Sequence, residues 1–381
     1  IDKDLSLREV YDKYLHPEVL PLEDKRIWKA LQNNSVLNVF QFDSDVGSQA
    51  AKKIKPTNIL EMADANGLMR LMTSEKGEET PMEKYIRYKN NISLWYQEMN
   101  RAGLTKEEQT FIEPYFKQSY GVPPSQEQLM RMLMDKNICN FSLKEANAAR
   151  KIVGKKQMAK IPELHQKILD TASSPYLGKY IWKCGVGPQM GYSFSIIHAL
   201  AYSFIGVQTI YLATNWNPIY WNTACLIINS ASLEDDDEDD DEDNTKDKST
   251  DYSKLAKAIG DITSKGIKVS LIDINKSGYS FEPDEENNEI LFGLKGVNKI
   301  GGPVIDKIIG GRPYTGIIDF MNRCPLNKTQ MISLIKSGAF DKVDNDWASE
   351  ICKENPRYAI MAYYILRSRS EERFSRNAET D

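Results

Sequence analysis

The chain has 381 residues, 41% of them hydrophobic and 27% charged, with a net charge of −5 and a mean hydropathy of −0.50. That length predicts two or three domains with ample core, and the composition is that of an ordinary soluble protein. The five cysteines are scattered and form no CxxC pair, which excludes a disulfide framework or a cysteine zinc site and predicts a reducing, cytoplasmic compartment. The net charge conceals an asymmetry, because ten consecutive acids, EDDDEDDDED at Glu234–Asp243, leave the remainder with 44 acids against 49 bases. The folded parts are therefore mildly basic, which suits a phosphate-bearing partner.

The start, IDKDLSLREVYDKY, is charged and lacks Met, so the chain is a candidate fragment and no signal peptide is expected. PLEDKRIWKALQNN, at 21–34, has apolar residues at helical spacing. SQEQLMRMLMDKN, at 125–137, predicts a helix capped by Ser125, with Leu129, Met130, Leu133 and Met134 as its buried stripe. SLKEANAARKIVGKK, at 142–156, opens with the capping-box pair Ser142 and Glu145 and ends on a glycine and two lysines.

From Lys183 to Glu234 no Asp, Glu, Lys or Arg intervenes, and this stretch contains GYSFSIIHALAYSFIGVQTIYL, at 191–212. Its many polar residues and its lack of flanking Lys/Arg argue against a membrane span and for a core helix that is charge-free because it is buried. Ser195, His198 and Tyr202 fall at i, i+3 and i+7, on one helical face. The acidic run and its tail, 234–250, predict a disordered linker, because like charges repel and nothing there can pack; a DNA mimic or electrostatic gate is the sharper alternative. Beyond it, a helix leads to strands in IKVSLIDIN and NEILFGL around a DEENN turn. Two short helical hairpins come next, GLKGVNKIGGPVIDKIIGG and the pair GIIDFMNRC with NKTQMISLIKSGAFD.

Short helices around a Gly-containing turn such as KGVNKIGG are the sequence form of a helix-hairpin-helix, whose backbone amides grip a DNA phosphate without reading sequence. Gly293, Gly296, Gly301 and Gly302 would allow close approach, and Lys295, Lys299 and Lys307 would add charge; plain turns have the same look. In ARKIVGKK the basic cluster Arg150, Lys151, Lys155 and Lys156 surrounds Gly154. It reads either as a triphosphate grip or as a solvated helix end. His198 reads either as a satisfied core histidine or as a ligand. No GxSxG, HExxH or Walker A pattern is present, so neither nucleophilic nor metal catalysis is indicated.

Taken in order, NVFQFDSD (38–45), SYGVPPSQEQLM (119–130), ARKIVGKK (149–156), the 191–216 stretch, GIKVSLIDINKSGYSF with LFGLKGV (266–297) and LIKSGAFD (334–341) resemble the family C replicative DNA polymerases. The match is to the C-terminal half of the bacterial DNA polymerase III α subunit and its Gram-positive relative, with phage-like departures. The resemblance implies a mainly α chain. An all-α fingers region, 1–233, is followed by the acidic linker 234–250, a small α+β domain with tandem helix-hairpin-helix, 251–345, and a helical tail, 346–381. It implies that Arg150, Lys155, Lys156 and His198 bind the incoming dNTP. Arg70, in ANGLMRLM, would join them, although the family's following Pro-Gly is absent. Lys295, Gly296, Asn298, Lys299 and Gly301 would hold the duplex of a primer-template.

The reaction implied is attack of a primer 3′-hydroxyl on the α-phosphate between two Mg2+ ions. Those ions are held by aspartates of a palm lying N-terminal to this region, in the same or a separate polypeptide, so this chain alone is expected to be inactive. At Ser195-Ile196-Ile197-His198 a family lysine is lost. Asn298 replaces the second glycine of Gly-Val-Gly and is expected to take the left-handed turn. No terminal clamp-binding peptide is found, which leaves a sliding-clamp partner open. The competing expectation is a non-catalytic DNA-binding protein keeping only the hairpin function.

Overall fold

The computed structural model describes residues 4–70, 79–155, 157–190, 194–231 and 253–378. It forms two compact units, up to Trp216 and from Asn217 onward. Lys156 and the expected linker, 234–250, lie outside the described residues.

The described part of the first unit is helical. In chain order come α1 Lys25–Gln32, α2 Asp45–Ile54, α3 Ile59–Leu68, α4 Pro81–Asn90, α5 Ser93–Arg101 and α6 Lys106–Phe116. They are followed by α7 Gln126–Met134, α8 Leu143–Gly154, α9 Ile161–Thr171 and α10 Pro175–Tyr180. A π-helical turn, Ile181–Val186, continues α10, and α11 runs over Ile196–Asn215. The starts of α7 and α8 are where the sequence puts them. Ser125 and Gln128, then Ser142 and Glu145, form reciprocal capping boxes that satisfy amides no helical carbonyl can reach. The buried stripe of α7 is rotated from its expected position: Leu129, Met132 and Leu133 are buried, whereas Met134 is exposed. Burial selects Met132 because it and Leu129 are one turn apart on the same side.

α11 is long and apolar enough to cross a membrane by length and composition, with a mean hydropathy of 1.5. One face packs on α3 with close backbone approach. A Cβ on Gly206 would lie 2.5 Å from Met62 Cε, and one on Gly67 of α3 would lie 2.7 Å from the Phe194 ring. Asn66 Nδ2 donates to Ser203 Oγ across this seam at 3.3 Å. The opposite face is open: Ile197 is 73% and Ile205 47% exposed. Burial therefore explains the missing charges on one side of α11 only. The buried polar residues are Ser203 and Thr209, not the Ser195–His198–Tyr202 set.

The second unit begins with α12 Pro218–Ala231, which packs on α13 Ser253–Ser264 and on the small sheet. The helix just before the acidic run thus belongs with the elements on the far side of that run. The sheet holds β1 Lys268–Val269, β2 Glu282–Asp284 and β3 Glu289–Leu291 in the order β1-β3-β2. β1 lies parallel to β3, and β2 antiparallel through the expected DEENN turn, where Asn287 N donates to Asp284 Oδ1. Then come α14 Gly302–Gly310, α15 Ile317–Arg323, α16 Lys328–Ser337, α17 Asp346–Ile351 and α18 Pro356–Ala378. One apolar cluster joins Leu294, Ile305, Ile308, Phe320, Leu334 and Phe340 to Ala348, Ile360 and Tyr364. The 346–381 tail therefore packs, through α17 and the first turns of α18, into the core of the hairpins that precede it.

Candidate functional site

In the first unit three sequence blocks meet through side chains. Ser125 forms a parallel bridge with Phe194, and Gln126 N donates to Phe194 O at 2.7 Å. This brings the start of α7 to the start of α11. Gln189, fully buried, clamps the same segment by donating from Nε2 to the carbonyls of Pro123 and Ser125, each at 3.1 Å. Glu127 then accepts from Ser195 Oγ and from Ile196 N, both at 2.9 Å. The carboxylate sits on the positive end of α11 and satisfies an amide there. On the other side of α7, Arg150 Nη1 donates to Gln126 Oε1 at 2.9 Å, while Nε and Nη2 bind Asn147 Oδ1.

Arg150 and His198 are thus joined by a chain of contacts: Arg150, Gln126, Glu127, Ser195, and then the first turn of α11. Lys155 caps α8 one turn beyond Arg150 and is exposed. His198 is exposed too and packs edge-on to Tyr202 with centroids 4.6 Å apart; Tyr202 in turn stacks on Phe40 at 4.1 Å. Phe40 belongs to the NVFQFDSD block, so a fourth block joins. Arg70 is exposed just after α3, three residues past the Gly67 that abuts Phe194. Gln126, Glu127 and Phe40 carried no role in the sequence reading, although all three lie in the quoted blocks. For Gln126 and Glu127 the signal is hydrogen-bonding capacity beside the Ser125 cap, and for Phe40 an aromatic ring within NVFQFDSD.

Behind this surface, α3 carries two buried carboxylates with opposite behaviour. Burial raises Glu61, but Lys89 Nζ at 2.6 Å, Tyr120 Oη at 2.6 Å and Thr57 N at 2.8 Å together hold its pKa below the usual range. Asp64 has no cation of its own. Burial pushes it up to about 7, and the Tyr85 hydroxyl, donating at 3.0 Å, only partly offsets that.

In the second unit the expected hairpin is present, with a reduced first arm. Leu294–Gly296 is a single 3₁₀ turn, a tight loop follows, and α14 begins at Gly302 with Gly301 as its N-cap. Leu294 N and Lys295 N donate to the carbonyls of Gly278 and Tyr279, so the NKSGYSF segment braces the loop. The close approach occurs at Gly293, where a Cβ would lie 2.3 Å from the carbonyl carbon of Ser280. The left-handed residue is Lys299, with φ 67°, and not Asn298. This moves the turn one residue along and turns Lys299 outward, where it is exposed. Nothing within 4 Å crowds Gly301. Among the described residues none accepts from the amides of Gly301 and Gly302, which lie at the positive end of a nine-residue helix. Lys295 lies over the Tyr279 ring at 5.3 Å. Lys307 donates to Pro325 O at 2.8 Å and ties the first hairpin to the second.

Among the described residues no three His, Cys, Asp or Glu side chains assemble as a metal site.

Residues 4–175 match the bacterial DNA polymerase III alpha subunit finger domain, and residues 266–349 match the helix-hairpin-helix motif. The chain is similar to the probable DNA polymerase YorL of Bacillus subtilis and to a DNA-directed DNA polymerase of Bacillus phage SPbeta. Each is 45% identical over 348 residues, covering 89% of this chain and 26% of the relative. Similarity extends to the DNA polymerase III subunit alpha of Thermus aquaticus, 27% identical over 84% of this chain and 24% of that protein. The chain spans about a quarter of the length of these relatives. The chain thus carries a finger domain of the bacterial DNA polymerase III alpha subunit type followed by a helix-hairpin-helix motif, and it is similar to a segment of bacterial and phage DNA polymerases.

Proposed function

We propose that this chain is the nucleotide- and duplex-gripping part of a replicative DNA polymerase. The observation that supports it best is the contact chain from Arg150 through Gln126 and Glu127 to α11, because it holds two separate stretches in one fixed relation. Arg150, Lys155 and, by its sequence position, Lys156 supply positive charge to a dNTP triphosphate, and His198 and Arg70 contribute from α11 and the end of α3. Glu127 already fills the start of α11, so the phosphates are met by side chains and not by that helix end. Such charges, fixed before substrate arrives, orient the α-phosphate and need no rearrangement during reaction. The hairpin amides of Gly301 and Gly302, with Lys295 and Lys299, hold duplex backbone. Asn298, exposed beside them, lies at the same surface.

The Mg2+-binding aspartates and the attacking primer terminus belong, on this reading, to a palm region supplied elsewhere in the polymerase. The test uses that whole polymerase. Lys155→Ala is expected to raise the KM for dNTP about tenfold, with a smaller change in kcat and unchanged duplex binding. An unchanged KM refutes the nucleotide role.

A further inference from the structure

Gln126, the first residue of α7, is held through its backbone and through both ends of its side-chain amide. Its backbone N donates to the Phe194 carbonyl, and its side chain stands between opposite charges. Oε1 accepts from Arg150 Nη1 at 2.9 Å, while Nε2 donates to Glu127 Oε1 at 3.0 Å. A guanidinium can only donate and a carboxylate can only accept, so these two neighbours fix which way the amide faces. Glu127 in turn accepts from Ser195 Oγ and Ile196 N, each at 2.9 Å. The support for Arg150 therefore runs back to the start of a 20-residue helix, α11.

The second support of Arg150 is also a neutral amide, since Nε and Nη2 both donate to Asn147 Oδ1, at 3.1 and 3.0 Å. Among the described residues no carboxylate pairs with Arg150. These contacts occupy one N–H on each guanidinium nitrogen and leave one on each Nη, because the group carries five in a planar fork. A carboxylate in place of either amide would hold the arginine as firmly, but would also offset the charge that a phosphate meets. Two amide oxygens fix the plane of the fork and leave its charge uncompensated.

We propose that Gln126 is a positioning residue, which aims Arg150 at the dNTP triphosphate while keeping its charge available, and acts through Arg150 and not on the nucleotide itself. The triphosphate role of Arg150 rests on the reading above; the dependence of that role on Gln126 is additional to it. The geometry also explains why the residue is an amide. A lysine there could not accept from Arg150. An ionised glutamate could not donate to Glu127, and would set a second negative charge beside the one that Glu127 carries.

The test measures primer extension at varied dNTP by the whole polymerase. Arg150→Ala is expected to raise the KM for dNTP about thirtyfold, in the range for a lost charged hydrogen bond. Gln126→Met keeps the length and removes both hydrogen bonds of the amide; it is expected to raise KM about fivefold with a smaller change in kcat. Gln126→Glu is expected to raise KM about tenfold, because it pairs with Arg150 and offsets its charge. In the Arg150→Ala background Gln126→Met should add nothing, since its route to the nucleotide is gone.

KM effects that multiply in the double variant overturn the proposal, because Gln126 would then act through the fold at large. An unchanged KM in Gln126→Met, beside a raised one in Arg150→Ala, overturns it as well. If Gln126→Met does not fold, Gln126→Glu decides, and an unchanged KM there has the same force. These outcomes leave the nucleotide role of Arg150 standing. An unchanged KM in Arg150→Ala is the separate failure that removes that role, and the proposal with it.

Discussion

The two candidate phosphate-binding regions are built in opposite ways. In the first unit the site is made of side chains from distant parts of the sequence, since Glu127 reaches Ser195 and Arg150 reaches Gln126. In the second it is made of backbone from about ten consecutive residues, shaped by Gly293, Lys299 and Gly301. A side-chain site can change one contact at a time. A backbone site depends on chain path, and a change there matters mainly if it moves the path. Asn298 needs no left-handed backbone, because that position falls to Lys299.

The sharpest way to break this comparison is at Gly293. A methyl there would collide with the Ser280 main chain, and backbone cannot swing aside as the end of a side chain can. Gly293→Ala is expected to destabilise the second unit by about 3 kcal/mol, near the upper end for overpacking, and to abolish duplex binding. Chemical denaturation and an anisotropy titration would measure the two effects. A variant with wild-type stability and binding would mean that the loop is not held by close approach at all.

The same contrast governs what was legible in the sequence. Helix starts at Ser125 and Ser142 were readable because capping is a local rule over four residues. The hairpin was readable because turn chemistry is local too, although which residue takes positive φ depended on how Ser280 and Tyr279 pack beneath the loop. The rotated stripe of α7 was not readable, because Met130, Met132 and Met134 are equally apolar and only the neighbours decide which is buried. Nor were the roles of Gln126 and Glu127, whose partners lie 24 and about 69 residues away. The open face of α11 was misread as core because absence of charge signals burial only on average.

A smaller effect separates the two units by pH. Asp64, buried on α3 at the back of the side-chain site, titrates near 7 in the folded protein and near 4 when unfolded. Its folded pKa is raised, so its contribution to stability is fullest below about pH 4 and is lost as pH rises through 7. Glu61 is shifted the other way, and its contribution is lost only as pH falls below the ordinary carboxylate range. Between pH 5 and 8 the first unit is therefore expected to lose roughly 2–3 kcal/mol of stability from this group, several degrees of Tm. Asp64→Asn should flatten that slope and raise Tm at pH 8. Scanning calorimetry at pH 5, 6.5 and 8 measures it, and a slope unchanged in the variant would assign the effect to another group.

The smallest expected effect tests the hairpin from its side-chain side. Lys299 is exposed at the left-handed position, next to amides that no described residue uses. If backbone amides carry the grip, a lysine beside them adds one screened ion pair with one phosphate. Lys299→Ala is then expected to weaken duplex binding only about three- to fivefold at low salt. It should lower the slope of log affinity against log salt by about one, equally for every duplex sequence. A loss of a hundredfold would make the side chain the principal contact and erase the distinction between the two regions. A loss confined to certain sequences would place Lys299 at base edges in a groove instead of at the phosphate backbone.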